Sequence, residues 1–247
     1  MRPATVAVVM LLLAGTSYAD SLVVQGQDAA GIYDNKIYES YNDINFGGSA
    51  TLAVLLGTGG GRRHSLFMFT NIDTIGSSKL VDSMKIELYC DVASGATVAM
   101  HELLKPWYEG NSDNAIEAGA SDDNHWYHSD SSWGKEMADS TDDSGSQNRS
   151  SGTGPDRKAT AMDSETISTG STWYTFWVDV DLARDWYDGT KEPFGVIFRE
   201  SSSVGITTFA SSENGTTANR PKVTIYYHDI APGAISRRRS ALLLNSM

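Results

Sequence analysis

The chain has 247 residues, of which 40% are hydrophobic and 10% aromatic, and it carries a formal net charge of -12. This apolar content is enough to bury a sizeable core, so disulfide staples are not required. The negative charge argues against nucleic-acid binding, which needs Lys and Arg to neutralise phosphates, and it disfavours anionic membranes as partners.

The N-terminus has the pattern of a secretory signal peptide, residues 1–19. Arg2 precedes an apolar run over residues 6–14, and Ser17-Tyr18-Ala19 provides a cleavage site before Asp20. The run is too short to cross a hydrocarbon core of ~30 Å, and no later segment is long and apolar enough to do so. We therefore expect a secreted protein, extracellular or at the cell surface, without membrane insertion.

Eight later segments show the apolar alternation of β-strands and are bounded by Gly, Asn, Asp and Ser. They cover residues 51–56, 65–70, 84–92, 97–103, 173–180, 194–199, 205–210 and 222–228. They predict an all-β fold, a single jelly-roll-like antiparallel β-sandwich over residues 20–229, followed by a disordered tail, residues 230–247. One short helix is predicted from about Asp181 to Trp186.

The same alternation assigns side chains to faces. Cys90, the single cysteine of the chain, shares a parity with apolar neighbours and is expected to be a buried thiol. Trp173 and Trp177 share a parity on one strand, and Trp186 ends the predicted helix. These three rings are interpreted as core or half-buried and are left out of the predicted binding site.

A long loop insertion, about residues 110–162, is rich in Asp, Ser, Gly and Asn and interrupts the strand pattern. Loops of this length inside a compact domain are usually functional or disordered. Trp126, Tyr127, His128 and Trp133 lie together in it, and flat rings beside polar groups are what sugar binding requires. They form a candidate glycan-binding platform. The alternative is that the rings clamp the loop onto the sandwich.

Arg62, Arg63 and His64 follow a Gly-rich turn, residues 57–61, and directly precede a predicted strand. Guanidinium groups bind carboxylates in bidentate geometry, so the two arginines could recognise a uronic acid at the rim of the sandwich. These three residues complete the predicted ligand-binding set. A solvated hairpin tip remains the alternative.

Asp34, Asn35 and Asn45 form an oxygen-rich set on turns that flank a strand. Oxygen donors are the ligands of Ca²⁺, so these residues are the candidate ligands of a structural calcium ion. No other cofactor is expected, because the histidines have no zinc-ligand spacing.

Five segments together resemble the DNRLRE, or disaggregatase-related, domain, which is classed among carbohydrate-binding modules. They are residues 33–38 with 45–47, residues 65–69, residues 106–110, residues 179–189, and residues 209–222. The resemblance implies a jelly-roll-like β-sandwich in an extracellular protein, with alginate-type binding described for some members. This chain departs from the pattern in its acidic insertion and in Asp181, where Thr is often found.

The sequence therefore predicts a non-catalytic carbohydrate-binding module whose partner is an extracellular polysaccharide. The first alternative is a structural or adhesive surface protein that self-associates, since unpaired sheet edges can pair with other copies. The second is a polysaccharide lyase or hydrolase. No Gly-x-Ser-x-Gly or His-Glu-x-x-His motif is present, so we expect no enzymatic activity.

Overall fold

The fold is described from a computed structural model of the chain. The structure describes residues 20–27, 30–41, 44–57, 61–114, 120, 125–127, 131–133, 135–142, 147, 153–202 and 205–230. The predicted signal peptide and all but the first residue of the predicted tail lie outside this part of the chain. No helix among the described residues is long and apolar enough to span a membrane.

The described residues form thirteen strands and one α-helix. The strands are β1 (Asp20–Gln25), β2 (Ile32–Tyr38), β3 (Thr51–Val54), β4 (Arg63–Phe69), β5 (Lys79–Val92), β6 (Thr97–Glu102), β7 (His125–Tyr127), β8 (Ser131–Ser132), β9 (Asp163–Thr166), β10 (Thr172–Val178), β11 (Val196–Glu200), β12 (Thr207–Ala210) and β13 (Lys222–Asp229). The helix α1 (Val180–Asp188) follows β10 directly.

Two antiparallel sheets carry the fold. The first sheet has the order β1-β13-β5-β12-β3, and β10 pairs with β5 in addition; the second has the order β2-β4-β11-β6-β9. Strands β7 and β8 form a separate two-stranded sheet within the insertion. The two large sheets pack face to face, which confirms the predicted all-β sandwich.

The main core lies between the inner faces of the two sheets, because each strand turns alternate apolar residues inward. Phe176 of β10 and Phe198 of β11 meet across the interface, with ring centroids 4.9 Å apart. Cys90 is fully buried in this core, as predicted, and burial raises the pKa of its thiol to about 11.

A second hydrophobic cluster lies on the outer face of the second sheet. The sheet contributes Ile37, Leu66 and Ile197, and the insertion and its flanks cover them with Leu103, Trp107, Ala120, Trp133, Met137, Ala138 and Phe194. Lys105 and Asp156, both fully buried, form an ion pair of 3.2 Å between the beginning and the end of this segment. The insertion is thus an additional layer over one face of the sandwich.

The helix α1 begins and ends on residues whose chemistry explains its bounds. The Asp179 carboxylate accepts the backbone N–H groups of Asp181 and Leu182, which satisfies donors left free at a helix start. Gly189 ends the helix with a φ of 70°, in the left-handed region that glycine adopts without strain. The structure therefore has the predicted helix, slightly longer than expected.

Gly195 and Gly189 provide a matched test of the close packing of the segment before β11 against strand β4. Both have positive φ, but a Cβ on Gly195 would lie 2.1 Å from the Phe67 carbonyl oxygen, whereas a Cβ on Gly189 would meet nothing within 4 Å. We expect Gly189→Ala to lower the free energy of unfolding by about 1 kcal/mol. Gly195→Ala should cost at least about 2 kcal/mol more.

Urea denaturation of both variants measures these losses. Equal losses in the two variants would contradict the close approach of Gly195 to strand β4.

Candidate functional site

Four aromatic side chains lie on the outer face of the first sheet. Strand β10 turns Phe176 and Val178 into the core, so Trp173 and Trp177 point the other way, and Trp177 is 46% exposed. Tyr89 of β5 and Tyr226 of β13 share this outer face, because their neighbours in sequence belong to the core. We call these four rings, with the intervening Lys85, Glu87 and Lys222, the aromatic platform.

The rings of the platform are arranged in two pairs. Trp173 and Tyr89 are directly opposite in the register and meet edge to face, with centroids 5.4 Å apart. Trp177 and Tyr226 lie 6.4 Å apart with an interplanar angle of 29°. Trp173 and Trp177 are four residues apart on a strand, so the pairs are separated by about 13 Å.

Polar groups lie between and beside the two ring pairs. The Lys222 ammonium is 3.6 Å from the centroid of the Trp173 ring, which places a cationic donor over that ring. Lys85 and Glu87 form an ion pair of 3.1 Å on β5. The platform therefore offers ring faces, two ammonium groups and a carboxylate on one rigid surface.

The sequence analysis missed this surface. The shared parity of Trp173 and Trp177 was correct, and Trp186 is buried as interpreted. Trp173 is partly buried, in agreement with the interpretation, whereas Trp177 is more exposed than expected. The alternation along a strand does not reveal which parity faces the partner sheet. Phe176 and Val178 have the other parity of the same strand, and both lie in the core. Their smaller apolar side chains were the signal that this parity faces the partner sheet.

The structure places the predicted aromatic residues of the insertion in different settings. Trp126 and Tyr127 belong to strand β7, and only their backbone is described; His128 lies outside the described residues. Trp133 is 3% exposed and packs in the second hydrophobic cluster. Its ring thus holds the insertion on the sheet, which is the structural alternative considered for this loop, and it presents no open face for stacking.

Of the predicted basic set, Arg63 lies apart from the other two residues. Its guanidinium is 4.3 Å from the centroid of the Tyr38 ring. Arg62 donates to Glu39 at 2.6 and 2.9 Å and to Asp139 at 3.0 Å. Both guanidinium bonds to Glu39 end on its Oε1, and Oε2 accepts the backbone N–H of Arg62. The Arg62 guanidinium therefore has carboxylate partners within the chain itself.

His64 and Arg62 belong to a buried polar cluster around Asp139. The Asp139 carboxylate also accepts from Arg157 at 2.9 Å, and the Arg199 guanidinium is 3.4 Å away. His64 is 1% exposed, and its Nδ1 lies 3.0 Å from the Met137 carbonyl oxygen. We call the group formed by Arg62, His64, His101, Asp139, Arg157 and Arg199 the arginine cluster.

Both histidines of the arginine cluster are neutral at physiological pH. Burial lowers the pKa of His64 to about 4, with Arg199 and Arg157 acting in the same direction against Asp139. Burial and the same two arginines lower the pKa of His101 to about 4. Burial and Arg157 also lower the pKa of Arg199.

The predicted calcium ligand Asp34 lies in a cluster of three carboxylates. Oxygens of Asp34, Glu109 and Glu213 all lie within 4.8 Å of one another. The N–H of Asp34 donates to Glu109 at 2.6 Å, and the N–H of Ser212 donates to Asp34 at 2.7 Å. Ca²⁺ binds oxygen at 2.3–2.6 Å, so these three carboxylates could share one ion. Calcium binding at Asp34 stays a prediction.

The other two predicted ligands hold the insertion in place. The side-chain amides of Asn35 and Asn45 both donate to the carbonyl oxygens of Glu109 and Ala120, at 2.6 to 3.1 Å. The Asn45 side-chain oxygen in turn accepts two backbone N–H groups. Asn45 therefore positions Glu109 and has its own oxygen engaged. The Asn35 side-chain oxygen is buried and accepts no hydrogen bond, and calcium binding at Asn35 and Asn45 stays a prediction.

An aromatic cavity of about 400 Å³ lies beside this carboxylate group. It is lined by Tyr33, Met68, Thr70, Trp107, Tyr108, Glu109 and Gly110. The Trp107 indole N–H donates to the Phe194 carbonyl oxygen at 2.8 Å, which fixes that ring in the wall. Tyr108 is 54% exposed at the cavity mouth.

A scan of protein-family models finds no match to the chain. A search of curated proteins finds no significant match either. The resemblance to the DNRLRE domain therefore rests on the five sequence segments quoted above.

The arginine cluster makes the stability of the fold depend on pH. Between pH 6.5, the usual His pKa, and about 4, the unfolded chain binds protons at His64 and His101 that the folded protein does not. The free energy of unfolding should therefore fall as the pH drops through this range, by an order of 2–4 kcal/mol for the pair. Chemical denaturation at pH 7, 6 and 5 measures the slope.

His101→Gln should give a shallower slope over the same interval, because one of the two buried proton acceptors is gone. A free energy of unfolding that stays constant from pH 7 to pH 5 would contradict this account of the cluster.

Proposed function

We propose that this chain is a secreted, non-catalytic carbohydrate-binding module that holds an extracellular polysaccharide on the aromatic platform. The observation that carries the proposal is a contiguous group of four rings beside charged groups on the outer face of the first sheet. Trp177 is 46% exposed, the other three rings are partly buried, and Lys222 lies over Trp173. Apolar surface patches that are rimmed by polar groups often mark interaction sites.

The chemistry of the platform suits a sugar ring. Pyranose rings have a C–H face that packs on an aromatic ring and hydroxyl groups at the rim that need hydrogen-bond partners. Trp177 and Tyr226 supply apolar surface, while Lys85, Glu87 and Lys222 supply donors and an acceptor. Contact with both ring pairs requires a ligand about 13 Å long, which favours an extended chain over a single sugar.

The same surface favours binding over hydrolysis. A glycosidase needs two carboxylates that flank the scissile bond, about 5 to 9.5 Å apart. Glu87 is the carboxylate of the platform as defined, and Lys85 is paired with it at 3.1 Å. The platform as defined therefore does not supply the pair of carboxylates that hydrolysis requires. The predicted signal peptide and the DNRLRE resemblance agree with an extracellular binding role.

The test is retention of soluble and insoluble polysaccharides by Trp177→Ala and Trp173→Ala. Each substitution should weaken binding at least about tenfold, which corresponds to ~1.4 kcal/mol, because it removes one end of the stacking surface. For the wild type, affinity should rise with oligosaccharide length until the ligand spans both ring pairs. Affinity electrophoresis and isothermal titration calorimetry measure both effects.

Tyr41→Ala is the matched control, since Tyr41 is 44% exposed and lies outside the platform. It should bind as the wild type does. Undiminished retention by both Trp variants would refute the platform as the glycan site. Concentration-dependent dimers that Trp177→Ala abolishes, without any glycan retention, would favour the self-associating surface protein instead.

A further inference from the structure

The aromatic cavity described above lies apart from the platform, on the outer face of the second sheet. Its floor is formed by Tyr33 of β2 and Met68 of β4, which are directly opposite in the register. Both side chains pack against the second hydrophobic cluster but stay partly exposed. Ile37 and Leu66 of the same two strands are fully buried. The cavity therefore lies at the end of the sheet face that is less completely covered.

The side wall of the cavity is attached to the edge of the sheet. Strand β2 is the edge strand, and the backbone N–H of Asp34 donates to the Glu109 carboxylate at 2.6 Å. The Trp107 indole is held by its hydrogen bond to the Phe194 carbonyl oxygen at 2.8 Å. The cavity is thus preformed, and its volume of about 400 Å³ lies within the range of ligand pockets.

The composition of the wall indicates the kind of ligand. Its residues are Tyr33, Met68, Thr70, Trp107, Tyr108, Glu109 and Gly110. Among these seven are three aromatic rings, one thioether and one carboxylate, and there is no Lys, Arg or His. Aromatic rings attract cations through the negative charge of their faces, and a methionine side chain adapts to the shape of a ligand.

Two further carboxylates add negative charge beside the wall. Oxygens of Asp34, Glu109 and Glu213 all lie within 4.8 Å of one another. Carboxylates this close repel one another, so a cation near them relieves the repulsion, whereas an anion adds to it. The Lys36 ammonium interacts with the charge of Asp34, but it donates to two hydroxyl groups at 2.5 and 3.3 Å and is not part of the wall.

We infer that the aromatic cavity binds a small organic ammonium ion, such as the trimethylammonium head of choline. The methyl groups of this ion suit aromatic and thioether walls, and without N–H groups it needs no hydrogen-bond acceptor. A bare metal ion needs oxygen ligands instead and would bind at the carboxylates rather than among the rings. The inference does not depend on the proposed glycan role, because no residue of the wall belongs to the platform.

The experiment compares choline with its uncharged isostere, the alcohol in which carbon replaces the nitrogen. Each is titrated into the full chain with isotope-labelled methionine methyl groups, and EDTA keeps divalent metal ions off the carboxylates. Choline should shift the Met68 methyl resonance, which Met68→Leu identifies, in a saturable way. The isostere has the same shape without the charge and should bind at least about tenfold more weakly.

Two substitutions test the wall. Tyr108→Ala removes a ring that is 54% exposed, so the fold should tolerate it, and choline affinity should fall at least about tenfold. Glu109→Gln keeps an oxygen for the N–H of Asp34 but removes the charge. It should weaken binding of choline and leave that of the isostere unchanged. Tyr41→Ala removes a ring that is 44% exposed outside the wall and is the matched control.

A Met68 resonance that does not move with choline would overturn the inference. Equal affinity for choline and the isostere would refute the recognition of charge. Choline binding that both Tyr108→Ala and Glu109→Gln leave unchanged would exclude this cavity as the site. None of these results bears on glycan retention by the Trp173 and Trp177 variants, so the cavity and the platform can fail separately.

Discussion

The apolar outer face of the second sheet is the constraint on which the rest of the structure depends. Ile37, Leu66 and Ile197 are fully buried there, and an antiparallel sheet normally leaves one face in water. The insertion has to cover them, and Trp133 and Trp107 provide the area to do so. Covering this face also buries the polar residues of its strands. Their groups then need partners inside the protein, which is why arginines, histidines and Asp139 meet beneath the insertion.

The first sheet differs from the second in its outer face, which carries the aromatic platform. Its outer face carries Trp177, which is 46% exposed, with Tyr226 beside it. The cross-strand contact between Trp173 and Tyr89 stabilises the sheet and also keeps the rings in fixed orientations. Preorganised rings would lose little conformational entropy on binding a ligand, so the surface that stabilises the sheet also suits the proposed recognition.

The sequence was sufficient for the fold class, for eight of the thirteen described strands, for the helix and for the buried Cys90, because these depend on local periodicity. It missed β1, β2, β7, β8 and β9, and it placed Asp34 and Asn35 on turns although both lie in β2. It was not sufficient for the site. Trp133 has polar neighbours in the sequence and Trp177 has aromatic and aliphatic ones, yet Trp133 is buried and Trp177 is exposed, because the packing of the sheets decides which ring is covered. The meeting of Arg62, Arg157 and Arg199 could not be predicted either, since 137 positions separate the first from the last and no periodic signal connects them. The placement of Asp34 beside Glu109 has the same long-range origin.

The described part of the insertion lies over the outer face of the second sheet, so the two outer faces of the sandwich differ. Residues 110–162 contain ten Asp and Glu against four Lys and Arg, so half of the formal net charge of -12 comes from this segment of the sequence. A molecule adsorbed on a polysaccharide through its first sheet turns this layer toward the medium. A densely covered glycan fibre would acquire an anionic coat, which repels its neighbours at low ionic strength and lets them approach when salt screens the charge.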